Sequence, residues 1–185
     1  MKKVIWITGG GTGIGKAVAI KFANQGWKVA ISGRRENILK EVENINPNIK
    51  SFPLDVNDKG KCFEIMKIIK EEFGDIDICF FSTGTWDPKK EREIDVEQIE
   101  KVFKVNFFGT LNCIKSVEDH FRNRKNGIIT IVSSIAGYKG LPNSTGYGPS
   151  KAALNNLAES LYFDFGRYNV SCLLYTSPSP RDQSG

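Results

Sequence analysis

Histidine is nearly absent from this chain: His120 is the only one. A Ser-His-Asp hydrolase or a His/Cys zinc site needs imidazole beside a nucleophile or at ligand spacing. His120 is isolated near the charged end of a helix-period segment, so it supports neither and reads as a helix-end cation. Cys62, Cys79, Cys113 and Cys172 form no C-x-x-C pair. They read as reduced, mostly buried thiols of a cytosolic protein, and no metal site is expected. No apolar run approaches the ~20 residues of a membrane span. The opening MKKVIWITGGG breaks into glycines too early for a signal peptide. A block of one charge is also lacking. Lysine and arginine number 26 against 21 acidic residues, a net +5, but the basic residues are scattered or paired. That pattern gives solvated faces, so neither nucleic acid nor membrane is an expected partner.

What is present points to one domain with a sizeable core, 40% hydrophobic and 25% charged. Short β-rich runs at 4–8, 28–32, 50–55, 76–82 and 127–134 alternate with helix-period segments at 13–26, 35–45, 58–73 and roughly 95–123. The runs are almost continuously apolar, as strands buried on both faces must be. Such alternation predicts a single-domain α/β fold, a Rossmann-like doubly wound parallel sheet whose ligands bind beyond the strands' carboxyl ends. Residues 168–171 should open a sixth strand. From Cys172 the composition shifts to Ser, Pro and Arg, and CLLYTSPSPRD (172–182) reads as a translated adapter of the kind used for sequencing libraries. The expected division is therefore a nucleotide-binding domain over 1–171 and a non-native tail over 172–185, which lacks the fold's last strand and substrate segment. Resequencing the gene past Ser171 checks this.

The turn TGGGTGIGKA (8–17) joins the first strand to the first helix, where glycines let backbone approach a phosphate at a helix N-terminus. A P-loop reading of Gly10 to Lys16 fails at Ala17, which lacks the hydroxyl that should bind Mg²⁺. The spacing of Thr8, Gly9, Gly13, Ile14 and Gly15 instead resembles the cofactor loop of the short-chain dehydrogenase/reductase family. The resemblance continues in order through Asp55-Val56, Asn106 in VNFFGT, Ser134 in IVSSIAG, and Tyr147 and Lys151 in YGPSK. It departs at FSTG (81–84), where the family often has N-N-A-G and only Gly84 is retained. That departure puts sheet packing near the cofactor in doubt more than the chemistry.

A free tyrosine is a poor base at neutral pH, with a pKa of about 10. Residues four apart share a helix face, so Lys151 can sit beside Tyr147 and favour its phenolate. Pro149 between them is tolerated in a first helical turn. The resemblance implies that Tyr147 exchanges a proton with the substrate oxygen, that Lys151 tunes it and binds the nicotinamide ribose, and that Ser134 hydrogen-bonds the substrate carbonyl. It also implies that Asn106 holds a relay water, that Asp55 and Val56 contact adenine, and that relatives form homodimers or homotetramers through the helices near 95–123 and 147–166. At the end of the second strand Gly33 stands where an NAD-binding acid is expected, followed by Arg34 and Arg35. A guanidinium can grip a 2′-phosphate, so NADP is preferred to NAD, with Arg34 the main contact. The expected activity is carbonyl–alcohol oxidoreduction on a small molecule, the alternative being a nucleotide-binding protein without turnover. Substrate walls would come from 85–95 and 135–145, including Trp86, Tyr138 and Leu141.

Overall fold

The run VIWIT is buried along its whole length, and its alternation sets the plan of the molecule. Val4 and Trp6 point into one hydrophobic core, Ile5 and Ile7 into a second. A strand needs apolar neighbours on both faces to be buried this way, which requires a sheet between two helical layers. The computed structural model describes residues 2–177. Its strands are β1 (Val4–Thr8), β2 (Lys28–Gly33), β3 (Ile49–Pro53), β4 (Ile78–Phe81), β5 (Gly127–Ser134) and β6 (Val170–Ser177). They form one sheet in the order β3-β2-β1-β4-β5-β6, parallel throughout. The expected doubly wound sheet is the observed fold.

Helices α1 (Gly13–Asn24) and α2 (Glu36–Glu43) supply Ala19, Ala23, Leu39 and Val42 to the core on one face. On the other face lie α3 (Lys59–Phe73), α5 (Gly109–Arg124) and α6 (Tyr147–Gly166), contributing Ile65, Val117, Phe121 and Leu154 among others. Each such large side chain contributes roughly 1.5–3 kcal/mol by leaving water. Trp6 anchors its layer: it meets Phe81 edge-on with centroids 5.8 Å apart, and its indole N–H donates to the Ser32 hydroxyl at 3.0 Å. Asp58 caps α3 through Lys61 N–H, and Asp95 caps α4 (Val96–Phe103) through Gln98 N–H.

Three details differ from the sequence reading. The long helix expected over 95–123 is broken by a π turn at Lys104–Phe108 between α4 and α5. His120 is no helix-end cation. Its ring is 4% exposed and lies 2.9 Å from the Ile76 carbonyl. Burial, the largest influence, lowers its pKa, so the neutral ring donates there from Nε2. The helix-end charge is Arg124, which donates to the Ile76 carbonyl and to Asp77. Finally, β6 continues to Ser177 in register with β5, so residues 172–177, set aside above, take part in strand pairing. Their β-favouring Leu, Tyr and Thr suit an edge strand whatever their origin. Pro178 and Pro180 lie outside the described residues. Among the described residues no helix is long and apolar enough to cross a membrane.

Candidate active site

The sheet order reverses between β1 and β4, and the chain leaves β1 through a turn that only small residues allow. Gly9 has φ +69°, and a Cβ on Gly15 would lie 2.4 Å from the Gly9 carbonyl oxygen. Helix α1 starts with an unusual economy: Thr12 makes no side-chain cap and its first turn holds no acidic residue. Its first N–H groups are therefore uncommitted to any protein carboxylate. They open on a cleft of about 500 Å³ lined by Gly9, Gly13, Ile14 and Gly15, by Arg34 and Arg35 beyond β2, by Asp55 and Val56 beyond β3, and by Ser82, Thr83 and Gly84 beyond β4. The expected cofactor residues thus converge on one groove, apart from Thr8, Tyr147 and Lys151. Thr8 is buried behind it. Its carbonyl accepts from the Ser82 hydroxyl at 2.6 Å, which ties the ends of β1 and β4 together. Within FSTG, the departure noted above, Ser82 thus supplies a side-chain tie across the sheet. The uncapped start of α1 suits a phosphate, and the Asp55 and Val56 turn, the expected adenine contact, lines the same groove.

The residues expected to handle protons lie where α6 begins. Pro149 falls in the helix's first turn, as its missing N–H allows. Lys151 is buried, 4% exposed, with its ammonium donating to the Val132 carbonyl at 2.9 Å and standing 5.6 Å from the centre of the Tyr147 ring. Burial lowers its pKa to about 8. The Tyr147 phenol moves the other way. Burial pushes its pKa up, the Ser134 side chain beside it pulls it back, and the Glu91 carboxylate raises it further. In the protein by itself the phenol is therefore held in its protonated form, contrary to the lowering expected from Lys151 alone. Ser134 also accepts from Ala136 N–H.

Asn106, on the π turn, is fully buried. Its Oδ1 accepts from Thr85 N–H at 2.7 Å, and its Nδ2 donates to the Thr85 carbonyl and the Ser150 hydroxyl. Its own carbonyl accepts from the Thr110 hydroxyl. The amide's donors are thus all used in joining the loop after β4 to α6, and a water expected at Asn106 has only spare acceptor capacity to bind. Gly84 joins the groove to Lys151 and Asn106: a Cβ there would lie 3.4 Å from Lys151 Nζ and 3.5 Å from Asn106 Oδ1.

Sequence reasoning missed Ser82, Ser150 and Glu91. Ser82 could have been found from its place at the end of a strand. Glu91 could not, since it sits in a charge-rich stretch that reads as solvated. Trp86, expected as a wall, stacks on Tyr147 with centroids 5.2 Å apart, whereas Tyr138 is 65% exposed. Among the described residues no cluster of His, Cys, Asp or Glu could hold a metal.

Comparison with known proteins agrees with this layout. The family model for short chain dehydrogenases matches residues 3–178. An uncharacterized oxidoreductase of Staphylococcus saprophyticus is 36% identical over 183 residues, covering 96% of this chain and 77% of the relative. Dehydrogenase/reductase SDR family member 7 of Mus musculus is 31% identical, covering 97% of this chain and 56% of the relative. Among solved structures, ElxO with NADP bound superposes with a TM-score of 0.89 at 28% identity, covering 96% of this chain and 74% of that one. An NAD⁺-bound xylitol dehydrogenase does so with 0.87 at 26% identity, covering 95% and 70%.

Proposed function

The chain belongs to the short-chain dehydrogenase family, and on that premise we propose that it interconverts a carbonyl and an alcohol with NADP(H), Tyr147 being the acid–base group. The observation that carries this reading is the meeting of a buried lysine, a phenol and a serine hydroxyl at one end of a glycine-lined groove whose other end holds two arginines. When bound, the nicotinamide cofactor supplies the hydride. Tyr147 donates its phenolic proton to the substrate oxygen in reduction and takes it back in oxidation. Ser134 holds that oxygen by a hydrogen bond. Lys151, buried with no carboxylate partner among the described residues, keeps positive potential beside the phenol and is the group suited to a ribose hydroxyl. Asn106 and Gly84 position the loop that brings these groups to the groove.

Cofactor choice rests on Arg34 and Arg35, which line the groove beside Gly33. Gly33 stands where a carboxylate would repel a 2′-phosphate, and a planar guanidinium can bind that phosphate through two hydrogen bonds. The NADP-bound ElxO relative agrees with this, and the NAD⁺-bound xylitol dehydrogenase makes direct measurement necessary. The protein is taken to act in the cytoplasm as a homodimer or homotetramer, which sedimentation can check. The decisive experiment measures nucleotide binding by fluorescence and turnover on a ketone panel. NADPH should give kcat/KM at least tenfold above NADH, and Arg34→Ala should abolish most of that difference. Preference for NADH would overturn the cofactor assignment. Tight nucleotide binding with no turnover of any ketone would make this a binding protein instead.

A further inference from the structure

Helix α6 has no cap of its own. Its N-cap residue is Gly146, which makes no side-chain bond, and a Cβ there would come within 3.2 Å of the Ile99 backbone, so serine or aspartate has no comfortable place. The cap comes from far away in sequence. Glu91 is 2% exposed, and its Oε2 accepts from Gly146 N–H at 2.9 Å and from Tyr147 N–H at 3.1 Å. Its Oε1 is buried with no hydrogen-bond partner among the described residues. A buried carboxylate left half satisfied costs stability, unlike a solvated one. Such a group persists where geometry requires it. Its loop is fastened to the same segment twice more: Trp86 donates from its indole N–H to the Asn143 carbonyl at 3.0 Å and stacks on the Tyr147 ring.

We propose that Glu91 is a positioning residue for Tyr147: it clamps the loop over 85–95 onto the first turn of α6 and so fixes the backbone from which the phenol reaches the substrate. This rests on the reading of Tyr147 as the acid–base group. Two charged side chains are placed around the phenol, Lys151 from its own helix and Glu91 from the loop. Because Glu91 repels phenolate, its charge has a signature that mere packing lacks.

The test uses Glu91→Gln and Glu91→Ala in the whole chain. Hydrogen exchange of the peptide spanning 143–150 reads the clamp without reference to activity. Exchange should speed up by tenfold or more in the alanine variant and stay near wild type in glutamine, whose carbonyl can still accept. In turnover, alanine should lower kcat by about ten- to a hundredfold with nucleotide binding preserved. Glutamine should recover most of that loss, and its kcat/KM profile for alcohol oxidation should move to lower pH. The proposal is overturned if exchange in the alanine variant is unchanged, or if both variants lose only melting temperature with the pH profile unmoved. Failure of the wild type on every ketone, with exchange responding as described, would count against the role of Tyr147 while leaving the clamp in place.

Discussion

At the scale of single residues the central fact is a pair of opposed burials. The site buries a phenol, which favours its neutral form, beside a buried ammonium, which favours losing its proton. Both shifts come mainly from burial, and the ammonium stands 5.6 Å from the centre of the phenol ring. Replacing Tyr147 with phenylalanine removes one oxygen and keeps the ring that stacks under Trp86. We expect kcat for ketone reduction to fall by roughly a thousandfold, within the usual range for a lost general acid, while the dissociation constant for NADPH changes by less than a few-fold. Steady-state kinetics with fluorescence titration checks both. Tyr147, Lys151 and Ser134 were legible through the resemblance of YGPSK and IVSSIAG to family motifs, and the four-residue helix spacing explains why Tyr147 and Lys151 are neighbours. Glu91 and His120 were not legible, because each owes its state to burial by segments distant in sequence. Glu91 lies among Lys89, Lys90, Arg92 and Glu93, which composition alone marks as a solvated face.

At the scale of elements, the π turn over Lys104–Phe108 is the least ordinary piece of chain. Its sequence, KVNFF, gives no local signal for a π turn, since no proline or glycine interrupts it, and the apolar period runs on smoothly to either side. The reason is tertiary. Asn106 has three side-chain hydrogen bonds to make, to Thr85 and to Ser150, and the wider turn accommodates them. Asn106→Ala should therefore cost about 2–4 kcal/mol, from buried partners left unsatisfied, read as a lower denaturant midpoint. It should also loosen nucleotide binding through Gly84. Strand boundaries were legible to within a few residues, because continuous apolar runs end where the glycines, Asp55 and the loop after Phe81 begin.

At the scale of the molecule, one sheet separates two cores, and the ammonium of Lys151 is buried on its way between them and the groove. In the unfolded chain that group titrates near ~10.4, in the fold near 8. Burying the charged form opposes folding fully below pH 8. That opposition is relieved as pH rises toward the unfolded value, so unfolding free energy should climb across this window by up to about 3 kcal/mol. Lys151→Met should be the more stable protein at neutral pH and should lack the climb, as denaturant titrations from pH 7 to 10 can show. The fold class was legible from alternation alone, since few architectures satisfy both-face burial; the closing of the loop over α6 was not, for it joins residues that no periodicity links. The π turn also bears on how this architecture can vary in length. Deleting one residue between Lys104 and Phe108 would restore an unbroken α-helix with the flanking turns in nearly the same phase, because the π turn takes up one extra residue within its own wider turn. Val102 before the cut and Cys113 after it are each fully buried, so such a deletion should leave both burials in place and remove only the wide turn that seats Asn106.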